Sequence, residues 1–486
     1  MRSVKPARRP ETDQRSTAAG LAGVVRGFGM LAGASLLGQA IGFFALIYVA
    51  HRVGARGVGQ YNYVLAIVGF FGLVGNLGLD TLAVRTIVSG RDTRGITADV
   101  IALKLGFATV AFAVLLATRS QLATDAVERS LIPIVGLNLL IWALTLDWRV
   151  QALRQFGALG TWRLIGQVAY GALVPVFVVA GAEGVRAYAW LNVLGLAVTM
   201  AGLGWVVLRS RRTMPPRPNV RRMTARLRGG LPFLYSLAML QLYVSIDIVM
   251  LGHFRSARQV GIYAVANRLP SALIVLANVW INAFFPHAAA QITSHPKALL
   301  VQVGRIVTVM IVLAIGLVAG AALCAQGLIT WLFGAGFSSA GAPCAVLAAA
   351  AAVTLVDVTY GNVLLAAHGE RTFARAVTLG VMVNVAANLV LIPRAGALGA
   401  AISTLIAELA LGAVLIATLT HRVGAAKPDW GRILRGLGAA IVMVGCILVA
   451  RPLGAPIYSA VAIVSFFAVA LRIGAIDTTL VMGSSG

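Results

Sequence analysis

Charge is scarce in this chain, and acidic charge is scarcest. Only 11% of the 486 residues are Asp, Glu, Lys or Arg, and just 15 are Asp or Glu. Hydrophobic residues make up 59% and mean hydropathy is +0.89, far too much apolar surface for a soluble protein to keep from water. Cysteine is nearly missing: Cys324, Cys344 and Cys446 are scattered within or beside apolar runs, which excludes a disulfide framework and a metal-ligand spacing. No G-x-x-x-x-G-K-[ST] loop is present, so ATP hydrolysis by that device is excluded. The six histidines are dispersed, no H-E-x-x-H or Ser-His-Asp grouping stands out, and the chain does not read as an enzyme. Lysine is rare too, with 36 Arg against 4 Lys beside heavy Ala and Gly use, a composition that points to a bacterial genome rich in G and C.

What the chain has instead is apolar runs. About fourteen stretches of roughly 18–25 residues are each close to the length a helix needs to cross ~30 Å of hydrocarbon at ~1.5 Å per residue. They fall at 27–50, 59–80, 98–118, 130–147, 161–181, 185–208, 229–253, 260–285, 303–325, 341–366, 372–394, 397–420, 433–450 and 455–472. The class is therefore an all-α polytopic membrane protein with about 14 transmembrane helices.

Orientation follows from the basic residues. With the N-terminus inside, the inward segments hold 29 Lys and Arg and the outward connections hold 9. By the positive-inside rule both termini face the cytoplasm. The formal net charge of +25 would suggest nucleic acid in a soluble protein; here it reads as topology signals that also touch anionic lipid. Residues 1–25 read as a basic, unstructured cytoplasmic tail before an uncleaved first helix. The densest cluster, Arg209 to Arg228 with Pro215, Pro216 and Pro218, reads as a cytoplasmic linker.

The pattern occurs twice. IYVAHRVGARGVGQYNYVLAI from Ile47 and IVMLGHFRSARQVGIYAVANRL from Ile248 are each a helix end, a short loop with arginine, then V-G-x-Y opening the next helix. Gly59 and Gly261 are 202 residues apart. A second echo pairs Ala152 to Phe156 with His368 to Phe373, before helices containing Pro175 and Pro393. The expected architecture is a six-helix lobe (26–208), the linker (209–228), a second six-helix lobe (229–422) related by pseudo-symmetry, two C-terminal helices (433–472) and a short tail (473–486). Internal repeats of this kind are common in secondary transporters, with substrate between the repeats.

Several motifs run along the chain in order: Leu36-Leu37-Gly38, Gly59-Gln60-Tyr61, Gly78-Leu79-Asp80 and Val84-Arg85; then Ser245-Ile246-Asp247-Ile248-Val249-Met250-Leu251-Gly252, Val260-Gly261-Ile262-Tyr263-Ala264 and Arg268-Leu269; then Leu332-Phe333-Gly334 with Phe337, Gly361-Asn362, Asn388, Leu391-Ile392-Pro393, Gly396 and Gly399-Ala400-Ala401. In this order they resemble the bacterial oligosaccharide flippases. These are the polysaccharide-transport members of the superfamily that also holds multidrug exporters and the peptidoglycan-precursor flippase. The resemblance implies movement of undecaprenyl-diphosphate-linked oligosaccharide from inner to outer leaflet of the bacterial cytoplasmic membrane. It implies as partners the lipid bilayer and the polymerase and glycosyltransferases of the same pathway, and no nucleic acid. That family commonly has twelve helices, and the final pair here resembles the peptidoglycan-precursor flippases, which keeps that substrate as an alternative. A drug or cation exporter would need carboxylates in the cavity. A membrane glycosyltransferase or polymerase would usually carry a long extramembrane loop.

A lipid-linked sugar needs a hydrated cationic path, so in-membrane charges are the candidates, each costing roughly 2.5–3.5 kcal/mol at a helix centre. Arg268 lies ~12 Å from the outer end of the eighth helix and Asp247 ~9 Å from that of the seventh. Arg268 is expected to contact the diphosphate, or to pair with Asp247 and hold the hairpin. Lys104, Arg85 and Arg163 are expected to form a cationic approach on the inward side, Lys104 alternatively snorkelling. Asp357 and Glu408 have no basic neighbour in sequence. They are candidates for proton or sodium coupling, or for side chains bonded to Asn362, Asn384 or Asn388 across helices. No resident cofactor or metal is expected. Trp148, Trp162 and Trp331 read as interface anchors.

Overall fold

Helix follows helix through the computed structural model, which describes residues 12–90, 95–123, 125–209, 218–272, 274, 296–367 and 369–476. Among them every regular element is helical. In order these are α1 (Thr12–Asn76), α2 (Leu79–Val88), α3 (Ile96–Ala117), α4 (Arg119–Leu122), α5 (Ala126–Leu144), α6 (Asp147–Ala152), α7 (Phe156–Phe177), α8 (Gly181–Arg209), α9 (Val220–Phe254), α10 (Ala257–Ala266), α11 (Pro296–Phe333), α12 (Gly341–Ala366), α13 (Glu370–Arg422), α14 (Trp430–Ala450) and α15 (Ala455–Arg472). Two 3-10 turns, Ala335–Ala340 and Arg451–Leu453, join α11 to α12 and α14 to α15.

Ten stretches among the described residues are long and apolar enough to cross a membrane, which makes this a multi-pass membrane protein. The 22 residues of α7 fall outside those ten. Of the expected span 260–285, residues 273 and 275–285 lie outside the described residues. Two of the ten are single long helices bent into two segments at a glycine: α1 breaks at Gly54 (φ 68°) and α13 at Gly396 (φ 55°). Both angles are left-handed, a conformation that costs glycine nothing and other residues a clash at Cβ. These are the turns expected between 50 and 59 and between 394 and 397.

The Gly396 break leaves backbone groups without helical partners, and the turn from α9 to α10 supplies them. Arg255 donates from Nε to the Ile392 carbonyl (3.2 Å) and from Nη2 to that of Pro393 (2.6 Å). The Ala397 amide donates to Gln259 Oε1 at 3.0 Å.

The described chain clusters into two compact units. One comprises residues up to Leu46, Phe71–Val178 and Arg186–Tyr235; the other comprises Ile47–Phe70, Val179–Val185 and Ser236 onward. The repeated V-G-x-Y segments meet in the second unit. A Cβ on Gly59 would strike the carbonyl of Ala257, and a Cβ on Gly261 would strike that of Ala55. Ala55 and Ala257 are themselves 202 residues apart, so the contact is reciprocal, each copy presenting its glycine to the other's backbone. Small residues permit such approach where lipid supplies no hydrophobic force between helices. Further along, α11 packs on α12 around Val303, Val307, Tyr360 and Val363, and on α14 and α15 around Val312, Met443, Ile447 and Phe466.

Three expectations change. Helix α1 starts at Thr12, inside the tail read as unstructured: after Pro10 no proline interrupts it, and Gln14, Arg15, Ala18, Ala19, Leu21 and Ala22 favour helix. Residues 1–11 and 477–486 lie outside the described residues. So do 210–217 of the linker, but its 220–228 portion is the first turns of α9. Trp148 is no interface anchor: it is 3% exposed and packs with Leu79, Val100, Leu103 and Leu146, whereas Trp331 is 56% exposed.

Candidate functional sites

In the first unit, cations inside or beside the helices have found carboxylates. Lys104 on α3 is 3% exposed, and its Nζ is 2.8 Å from Asp80 Oδ1 on α2. An ammonium at that burial does not snorkel; Asp80, one-third exposed, balances it. Arg163 on α7 pairs with Asp147 on α6 through Nε and Nη2. Asp80 and Asp147 are near enough for their charges to act on each other, so the two pairs are neighbours. Arg85 on α2 is exposed. Two of the three inward cations thus come together, each with its own counter-ion.

A third carboxylate of this unit is a site that sequence reasoning missed. Asp99, fully buried at the start of α3, accepts from Arg222 Nε (3.0 Å), Arg226 Nε (3.0 Å) and the Asn219 amide (3.1 Å). Both arginines belong to the basic stretch read only as topology signals. Their i,i+4 spacing after the prolines was the available signal, since it puts them on one helix face.

If the Lys104–Asp80 pair is a unit, breaking it should cost more than deleting it. Lys104→Met strands a half-buried carboxylate and is expected to lower stability by about 2 kcal/mol, while Lys104→Met with Asp80→Asn recovers most of the loss. Thermal unfolding of the purified variants in detergent measures both. Equal stability of Lys104→Met and the parent would mean that the pair holds nothing.

In the second unit three acids, Asp247, Asp357 and Glu408, are buried. Asp247 on α9 is 4% exposed; its Oδ2 is 2.6 Å from the Tyr263 hydroxyl and 2.8 Å from Thr404 Oγ1, and its Oδ1 accepts from Asn388 Nδ2 at 2.5 Å. Asn388 also donates to Asn384 Oδ1 at 3.0 Å. Helix arithmetic explains the convergence. Asn388 and Thr404 lie eight residues before and after Gly396, and Asp247 and Tyr263 lie about as far either side of the α9–α10 turn. Four strands of helix descending from two adjacent turns therefore bring these side chains level, ~12 Å down.

One turn deeper, twelve residues from Gly396, Glu408 accepts from the Tyr243 hydroxyl, and Asp357 on α12 is close enough to feel its charge. Asp357 Oδ2, Glu408 Oε2 and Asn388 Oδ1 are buried without hydrogen-bond partners among the described residues. A Cβ on Gly412 would run into the Asp357 carboxylate.

The partners differ from those expected. Asn384 and Asn388 serve Asp247, not Asp357 or Glu408, and Asp247 bonds Tyr263 instead of Arg268, whose side chain is exposed. Five residues separate Tyr263 from Arg268, ~140° around a helix, so only one of them can face Asp247. At the repeat offset of 202, Ala45 stands where the second copy has Asp247; the acidic cluster belongs to one copy alone. No group of three or more His, Cys, Asp or Glu close enough to hold a metal ion exists among the described residues.

Residues 24–290, more than half of the chain, match the family described as polysaccharide biosynthesis protein. The chain belongs to that family. The probable flippase AglR of Haloferax volcanii is 33% identical over 226 residues, 44% of this chain, so the chain matches about half (46%) of that relative's length. Among solved structures, the inward closed conformation of lipid II flippase MurJ covers 91% of this chain and 97% of its own, with TM-score 0.74 and 12% identity. An inward-facing multidrug resistance MATE family transporter covers 79% and 94%, with TM-score 0.63 and 14% identity. At such identities the likeness is one of fold. Of the acidic cluster of this polysaccharide-biosynthesis family member, the matched stretch holds Asp247, Tyr243 and Tyr263, while Asp357, Asn388, Thr404 and Glu408 lie beyond it.

Proposed function

We propose that the chain is a flippase that moves an undecaprenyl-diphosphate-linked oligosaccharide from the inner to the outer leaflet of a bacterial cytoplasmic membrane by alternating access. The glycan is a repeat unit of O-antigen, capsule or exopolysaccharide. One observation carries the reading: a member of a polysaccharide-biosynthesis family keeps ionisable side chains inside apolar helices, where each is costly. The curated relative is named a probable flippase, and the structures of like fold are a flippase and transporters. Both termini are cytoplasmic in this reading.

The chemistry divides between the units. Arg268, Lys104, Arg85 and Arg163 attract the diphosphate; Lys104 and Arg163 do so by exchanging Asp80 and Asp147 for phosphate oxygens, which suit a planar guanidinium. An outward-moving anion is helped by an inside-negative potential, ~2.3 kcal/mol per charge per 100 mV. The acidic cluster resets the cycle. Three buried carboxylates with no cationic side chain paired to them among the described residues need positive charge, and a proton or a sodium ion supplies it. Asp247 with the unpartnered Asn388 Oδ1 and the Thr404 hydroxyl offers oxygen ligands of the kind a hard cation takes.

Arg268→Ala is expected to reduce export of lipid-linked glycan about tenfold or more in cells lacking another flippase, with Arg268→Lys recovering part of it. Unchanged export in Arg268→Ala removes that residue from the path. A second reading, carriage of the peptidoglycan precursor, is favoured by the α14–α15 pair beyond the usual twelve helices. Rescue of a strain depleted of its peptidoglycan-precursor flippase decides between them.

A further inference from the structure

Cations on outward loops work against the positive-inside rule, and they are unevenly spread here. With the termini inside, the outward connections hold Arg52, Arg56, Arg119, Arg129, Arg186, Arg255, Arg258, Arg394 and Arg451. The first two and Arg255, Arg258 and Arg394 lie in the second unit, on the turns that the Gly59–Gly261 contact and the Gly396 caps bring together. An open cavity of about 630 Å³ lies there, lined by Arg255, Ser256, Gln259, Arg394 and Gly396. Arg255, Arg258 and Arg394 are exposed and have no carboxylate partner among the described residues.

We propose that this cavity is an outward receptor for a phosphorylated head group, a site separate from the in-membrane cations, resting on the flippase reading for its place in the cycle. Like charges gathered without counter-ions repel, and an anion in their midst removes that cost. Donors remain for it. Arg255 spends Nε and Nη2 on carbonyls and keeps Nη1; Arg394 spends Nη1 on the Val390 carbonyl and keeps Nε and Nη2. Gln259 accepts with Oε1 and keeps its amide hydrogens. Guanidinium forks match the paired oxygens of a diphosphate, and a cavity of this size also has room for a sugar. Two sources supply such phosphate: the flipped lipid arriving at the outer leaflet, or bulk anionic phospholipid. An anion drawn onto Arg255 would compete with the carbonyls that this side chain caps at the Gly396 break, so occupancy is sensed by α13.

The test uses the full chain, purified in neutral detergent, titrated calorimetrically with inorganic pyrophosphate. Arg258→Gln with Arg394→Gln spares the caps made by Arg255, and is expected to weaken binding at least tenfold. Arg451→Gln, an outward arginine away from the cavity, should bind as the parent does. Equal affinity in parent and double variant, or no binding by the parent, overturns the proposal. In nanodiscs, lower pyrophosphate affinity in phosphatidylglycerol than in phosphatidylcholine assigns the cavity to bulk lipid phosphate; equal affinity assigns it to the flipped product. The two readings can fail apart: glycan export by the parent with unaltered pyrophosphate binding in the double variant removes the receptor alone. No export by the parent, with binding lost in the variant, removes the flippase alone.

Discussion

Asp247→Asn is expected to yield folded protein that exports lipid-linked glycan at least about tenfold more slowly than its abundance explains. Asp247→Leu is expected to lose export and much of its stability. The carboxylate is the acceptor around which Tyr263, Asn388 and Thr404 are arranged. Asparagine keeps one acceptor but turns an NH₂ toward groups that donate, at a cost of about 1–3 kcal/mol for the mismatched buried partner. Leucine takes the shared acceptor from all three buried donors at once, leaving Asn388 only Asn384, and Tyr263 and Thr404 only each other and the Ala400 carbonyl, at about 3 kcal/mol or more. Neither residue can change charge, so neither can take up and release a cation or proton as the lobes alternate. Thermal unfolding separates the two variants on stability, and export per molecule in the cell measures the coupling. An Asp247→Asn variant that exports at the parental rate would leave the cluster a packing device and end the coupling proposal.

The second large effect is expected at the crossing of the two repeats. In Gly261→Val the new side chain points into the carbonyl of Ala55, and in Gly59→Val into that of Ala257. Backbone cannot swing aside as a side chain can, so each variant should lose about 3 kcal/mol or more, beyond the usual range for overpacking. Because both glycines serve one reciprocal contact, the first substitution already parts the helices. The double variant should therefore lose clearly less than the sum of the singles, a coupling that distant sites would not show. Unfolding temperatures of the four proteins measure it. Strict additivity would mean that the two glycines face separate neighbours.

Much of the fold could be read from the chain because lipid imposes long apolar helices. The turns at Gly54 and Gly396 were visible as interruptions of hydropathy, and the two V-G-x-Y segments, legible as an echo, meet at Gly59 and Gly261. The partners of the charges were not visible. Depth along a helix can be counted from a turn, but direction around it depends on how helices rotate against one another. Counting put Asp247 and Arg268 at similar depth; rotation gave Asp247 to Tyr263. Lys104 found Asp80 from 24 residues away, and Asp99 found Arg222 and Arg226 from more than 120. A basic run that reads as an orientation signal can thus also be a set of ion-pair partners, since the two roles use the same side chains.

The equal spacing of Asn388 and Thr404 about Gly396 has a consequence for what the hairpin tolerates. Those two distances act as rulers laid along the helix. One residue inserted between Gly396 and Thr404 would swing the hydroxyl ~100° and lower it ~1.5 Å, out of reach of Asp247. Length between that hinge and its polar rungs is therefore held tightly, even at positions whose side chains meet nothing but lipid.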